Sequence, residues 1–194
     1  MRRFMSLFLV GVTVFVVVAC NRTPPPPSSS FRPTSTIKDI MDSLVDPSAD
    51  VLWESVATIV SAAGVEERQP RTDEDWTNVH RRAIELVEAT NLLTMEGRHV
   101  AKPGEKSENP GIELQPEEIE KLINADRQAW VTFAHGLHDA AMPALKATED
   151  RNPEALLNAG EKIDTACENC HLRYWYPLDE QAQKAKEGAG SVRK

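Results

Sequence analysis

A chain of 194 residues, 41% of them hydrophobic, is long enough to bury one sizeable core. Its formal charge of −8, from 22 basic and 30 acidic residues, argues against a surface built for nucleic acid and favours a partner with a basic patch. Three cysteines are too few for a disulfide scaffold, so the fold must stand on its core and on whatever those cysteines bind.

Arg2 and Arg3 precede an almost unbroken apolar run from Phe4 to Ala19, which is too short for a comfortable membrane span and reads as a signal peptide over residues 1–19. It ends Val17-Val18-Ala19-Cys20, which resembles the lipobox of bacterial lipoproteins. Cys20 is then the lipidated first residue of the mature chain, on the periplasmic side of a bacterial membrane; an ordinary signal peptide and an uncleaved anchor are the alternatives. Removal of residues 1–19 deletes two arginines and no acid, so the charge moves from −8 to −10, with 20 basic against 30 acidic residues. Residues 20–36 carry four consecutive prolines and a serine run, a tether that extends about 3.1 Å per residue where it adopts the polyproline conformation.

From Ile37 the apolar period is helical, and four segments can be counted. The first carries Ile37, Ile40, Met41 and Leu44, then Leu52, Ser55, Val56 and Ile59, and Pro47 either kinks it or starts a second helix with Asp46 as cap. The second runs from about Thr72 to Met95 with Trp76, Val79, Ala83, Leu86, Val87 and Leu93 on one side, and Gly97 ends it. Residues 97–115 read as a long loop. The third opens at Pro116 and carries Ile119, Leu122, Ile123, Asp126, Trp130, Phe133, Leu137 and Ala141; the fourth opens at Asn152-Pro153, and Pro177 stops it. No alternating strand pattern stands out. The expectation is all-α: an up-down-up-down four-helix bundle over residues 37–177, followed by a polar tail over 178–194.

Cys167-Glu168-Asn169-Cys170-His171 closes the fourth helix. C-x-x-C-H is the attachment signature of one covalent haem c. On a helix the two thiols fall on one face, where Cys167 and Cys170 can each add to a vinyl group, and His171 follows at i+4 as the proximal iron ligand. A zinc site would need further Cys or His ligands at suitable spacing, and a thioredoxin-like motif would sit beside a βαβ pattern; neither context is present.

This pattern resembles the class II cytochromes c of the cytochrome c-prime type, four-helix bundles whose C-x-x-C-H lies near the C-terminus rather than the N-terminus. The matching pieces are Cys167, Cys170 and His171 with Tyr174 three residues on, and a first helix bearing Met41. Trp175 stands where members often carry a basic residue, with Arg173 nearer. In such a bundle the end of the fourth helix shares a pole with the start of the first, the end of the second and the start of the third. Counted from Pro116, His135 lies about 28 Å along the third helix at 1.5 Å per residue, which places it, His138 and Met142 at the opposite pole, and His80 is distant as well. Met41, Met95 and His99 remain as candidates for the distal iron ligand, beside no protein ligand at all. Met41 is the best placed, and the resemblance implies it, since low-spin relatives use a methionine of this helix whereas the c-prime type proper leaves the distal side open.

Six-coordinate His/Met iron suits single-electron transfer by a membrane-tethered carrier. An open, apolar distal face would instead bind NO or CO as sensor or scavenger, and a third reading is a non-redox scaffold subunit. A second copy of the chain is a further candidate partner. No nucleophile beside a base, carboxylate pair or phosphate loop stands out, so no enzyme is expected, and Glu117, Glu118 and Glu120 read as solvated helix faces.

Overall fold

The computed structural model describes residues 31–176. The signal peptide, Cys20, the first part of the tether, Pro177 and the tail lie outside the described residues.

The first helix begins on a capping box: Thr36 Oγ1 accepts the Asp39 amide at 3.0 Å, and the Asp39 carboxylate accepts the Thr36 amide at 3.0 Å. α1 (Ile37–Ile40) passes into a π-helical turn, Met41–Val45, and then into α2 (Asp46–Ser55). Pro47 therefore falls in the first turn of α2 without interrupting the helical backbone, and Asp46 is the first residue of that helix rather than its cap. The expected apolar stripe does not continue to Ile59. Residues 57–68 form a β-hairpin, β1 (Ala57–Ser61) paired antiparallel with β2 (Gly64–Arg68), in the register Val60 opposite Val65 and Ser61 opposite Gly64. Ile59, Val60 and Val65 are exposed, so this strand pair corrects the expectation of helix there.

α3 (Asp73–Leu93) starts on a second capping box, Thr72 with Asp75. The expected third helix is two. α4 (Pro116–Ala125) ends at Asp126, whose non-helical backbone (φ −142°, ψ 75°) breaks the helix and whose side chain caps α5 (Arg127–Glu149) by accepting the Ala129 amide at 3.0 Å. Asp126 is thus an exposed cap and not a member of the buried stripe. α6 (Pro153–Tyr174) opens on Asn152 as cap with Pro153 in its first turn.

α3 packs along α5, α5 along α6, and α2 against both α3 and α6. α3 and α5 are antiparallel. Trp130 Nε1 donates to the Leu93 carbonyl at 2.8 Å and Arg127 Nη2 to the Thr94 carbonyl at 2.7 Å at one end, while Arg151 pairs with Asp73 at 2.6 Å at the other. Ile37 and Lys38 donate their amides to the carbonyls of His99 and Val100, both at 2.9 Å, and Leu114 donates to that of Trp175 at 3.0 Å. The 94–115 connection thus ties the start of α1 and the end of α6 to the same end of the helical body. The core between the helices holds Ala83, Leu86, Ala141, Ala144, Leu156 and Ile163, each at most 1% exposed. Each large apolar side chain among them contributes about 1.5–3 kcal/mol by leaving water.

Candidate functional site

A cleft opens between the Met41–Ser55 stretch, α5 and the last turns of α6. Its walls are mostly apolar: Val45, Ala49, Trp53, Leu93, Trp130, Phe133, Ala134, Leu137 and Ala166. Met41, Cys167, Cys170 and His171 line this one cleft together. α6 delivers the last three from one face, because residues at i, i+3 and i+4 point the same way. A second, more polar lobe shares Met41, Asp46 and His171 with the first and adds Lys38, Lys106, Ser107 and Tyr176. The two lobes, of about 190 and 210 Å³, therefore meet where Met41 and His171 stand.

Aromatic packing fixes the floor. Tyr174 is 1% exposed and meets the edges of Trp130 at 5.2 Å and Phe133 at 5.7 Å between ring centroids. The His171 ring lies 5.9 Å from that of Tyr176 and 6.1 Å from that of Trp175. Neither the imidazole of His171 nor the thioether of Met41 hydrogen-bonds to another described residue, so both remain available as donors. Cys167 and Cys170 are not joined in a disulfide. Burial pushes the Cys167 thiol up to about 11, with Asp46 and Asp164 adding to the effect. Burial likewise pushes Cys170 up to about 12. Both sulfurs therefore keep their protons at neutral pH.

The rim is acidic. Asp42, Asp46, Asp50 and Glu54 follow one another at four-residue spacing along the first helix, and Glu161, Asp164 and Glu168 line the facing side of α6; all are exposed. Asp46, Asp164 and Glu168 border the cleft itself. Loss of hydration on the cleft side raises the Asp46 carboxyl; His171 opposes this, and the carboxylates of Asp42 and Asp50 add to it. This double row escaped the motif reading, although the four-residue spacing of Asp42, Asp46, Asp50 and Glu54 is its sequence signal.

Met41 lines the cleft, and the other candidate residues do not. Met95 Sδ accepts Arg98 Nη2 at 3.3 Å and does not line the cleft. His99 pairs with Glu120 at 3.0 Å, with its side chain 74% exposed. The break at Asp126 overturns the distance reckoned from Pro116: Phe133, Ala134 and Leu137 border the cleft, so His135 is not remote from it. It is excluded by direction, being exposed, and His138 bonds Asp139 at 3.2 Å. Met142 is 42% exposed, and His80 bonds Thr148 at 3.0 Å. Trp76 and Trp130, on the expected apolar stripes, are buried, while Trp53 and Trp175 are half-buried.

Among the described residues no three His, Cys, Asp or Glu side chains converge on a metal position, so the Cys-x-x-Cys pair lacks the partners of a zinc site. The donor set instead comprises two protonated thiols, one imidazole and one thioether around a mostly apolar, two-lobed cleft. That donor set is compatible with a porphyrin iron, which Cys167 and Cys170 would hold through sulfur and His171 and Met41 through imidazole and thioether. Comparison with family models, with curated proteins and with solved structures gives no match. The described residues define a mostly helical protein with one short hairpin and one thiol-bearing cleft.

Proposed function

We propose that this chain is a c-type cytochrome of the class II kind, an up-down-up-down four-helix bundle in which Ile37–Ser55, α3, α4 with α5, and α6 are the four helical limbs. The observation that carries this reading is the convergence of Met41, Cys167, Cys170 and His171 on one cleft.

Cys167 and Cys170 would hold the haem by thioether bonds, each S–H adding across one vinyl group so that a C–S and a C–H bond would replace the π bond and the S–H bond. His171 would hold the iron through its imidazole and Met41 through its thioether, and the group, when bound, would supply one reversible electron. The side chains of Trp53, Trp130, Phe133 and Leu137 exclude water from the vinyl side, while Lys106 and Ser107 in the polar lobe suit the carboxylate edge. Held by His171 and Met41, side chains from two separately fastened segments, the iron would change oxidation state with little rearrangement, which is the requirement for a carrier rather than a catalyst. Cys20 and the proline tether hold the domain at the periplasmic face of a membrane, and the acidic rim meets a partner with a basic patch.

Acid–acetone extraction of the purified protein tests the attachment. Colour should stay on the polypeptide, and it should be lost to the organic phase only when both Cys167 and Cys170 are replaced by serine. Haem that extracts from the wild-type chain would overturn the reading.

A further inference from the structure

The π-helical turn Met41–Val45 begins at the cleft-lining Met41, and the sequence contains a reason for it. Ile37 and Ile40 are buried before the turn, and Val45 at its end with Ala49 and Leu52 after it. On an unbroken α-helix at about 100° per residue, these two sets would face directions roughly 100° apart, one residue out of register. A π turn holds one residue more than an α turn and absorbs that offset. The Asp46 amide accordingly donates to the carbonyl of Met41, five residues back.

Pro47 supplies the local cause. It has no amide hydrogen, and in a straight α-helix its ring would strike the carbonyl four residues earlier, that of Ser43. The wider turn relieves this clash and lets Asp46 keep helical angles, φ −62° and ψ −50°, although a residue before proline ordinarily avoids them. Both flanks are independently fastened. Ile37 and Lys38 bond to His99 and Val100, and Trp53 bonds to Gly160 on α6.

We propose that Pro47 is a positioning residue for the iron site: it holds the Met41–Val45 turn in π geometry, and that geometry aims the Met41 thioether into the cleft opposite His171. This rests on the reading of Met41 as distal ligand. Without the turn, α2 and α1 cannot both stay seated, and Met41 rotates with α1 away from the cleft.

The test uses the full haem-loaded protein. Pro47→Ala should keep haem covalently attached and keep helical content, yet lose the low-spin spectrum and gain CO binding. A further removal of Ser43, which is exposed, takes out the extra residue and should restore the low-spin spectrum, a rescue that loss of stability alone would not produce. Should Pro47→Ala not fold, this double change decides alone, and a high-spin or unfolded product overturns the proposal. A low-spin spectrum in Pro47→Ala, with Met41→Ala high-spin, overturns the role of Pro47 and leaves Met41 as ligand. A low-spin spectrum in Met41→Ala overturns both.

Discussion

The indole Nε1 of Trp53 donates to the carbonyl of Gly160 at 3.0 Å, and a Cβ built on Gly160 would stand 2.9 Å from Trp53 Cδ1. α2 and α6 approach this closely because residue 160 has no side chain, and the contact holds the indole in the wall of the cleft.

Gly160→Ala should therefore destabilise the protein despite the better helix propensity of alanine. The indole must shift and the hydrogen bond weakens, for a net loss of about 1–3 kcal/mol. Trp53→Phe removes the donor without crowding and should cost nearer 1 kcal/mol. Urea unfolding of the two variants checks the order; an alanine variant as stable as wild type would contradict the packing.

The carboxylate rows of the first helix and α6 should govern the encounter with a basic redox partner. Changing Asp50, Asp164 and Glu168 to their amides should slow electron transfer to a cationic protein several-fold at low salt, and the gap should close at high ionic strength. Stopped-flow rates across a salt series measure it. Equal rates for wild type and variant at low salt would place the contact elsewhere.

Asp39 sets a pH dependence. Lys102 Nζ at 2.6 Å, then the backbone and hydroxyl of Thr36, hold its carboxyl down at about 2, below its ordinary 3.8. The folded state thus binds fewer protons than the unfolded chain, so this cap contributes its full share above pH 3.8 and loses it as pH falls toward about 2. Lys102→Met should raise the Asp39 midpoint in an NMR titration. An unchanged midpoint would assign the shift to the Thr36 contacts alone.

Much of the helical framework was legible because its signals are local. Thr72 with Asp75, Pro116 and Asn152-Pro153 mark helix starts by chemistry that needs no tertiary contact, and the spacing of Cys167, Cys170 and His171 places them on one face of any helix. The hairpin was not legible. Ile59 continues a helical stripe on paper, Ala62-Ala63 is a weak turn sequence, and since the strands are largely exposed no burial pattern imposes a period of two; Gly64, at φ +127°, is its one backbone signal. Asp126 falls at three- and four-residue steps from Ile123 and Trp130, so periodicity alone reads it as a stripe position where its side chain acts as a cap. The π turn hid for a related reason: a single helical phase fitted through Ile37 and Leu52 overlooks the one-residue offset that Pro47 marks.

The optical spectrum of the purified protein in both oxidation states tests the central claim most directly. With His171 and Met41 on the iron it should be low-spin in both, with the weak far-red charge-transfer band of thioether-bound ferric iron, and Met41→Ala should lose that band, turn high-spin and bind CO, while Met95→Leu changes nothing. A wild-type spectrum that is high-spin and shifts at once with CO would contradict Met41 ligation, and a protein purified with no covalent haem spectrum would contradict the account at its root.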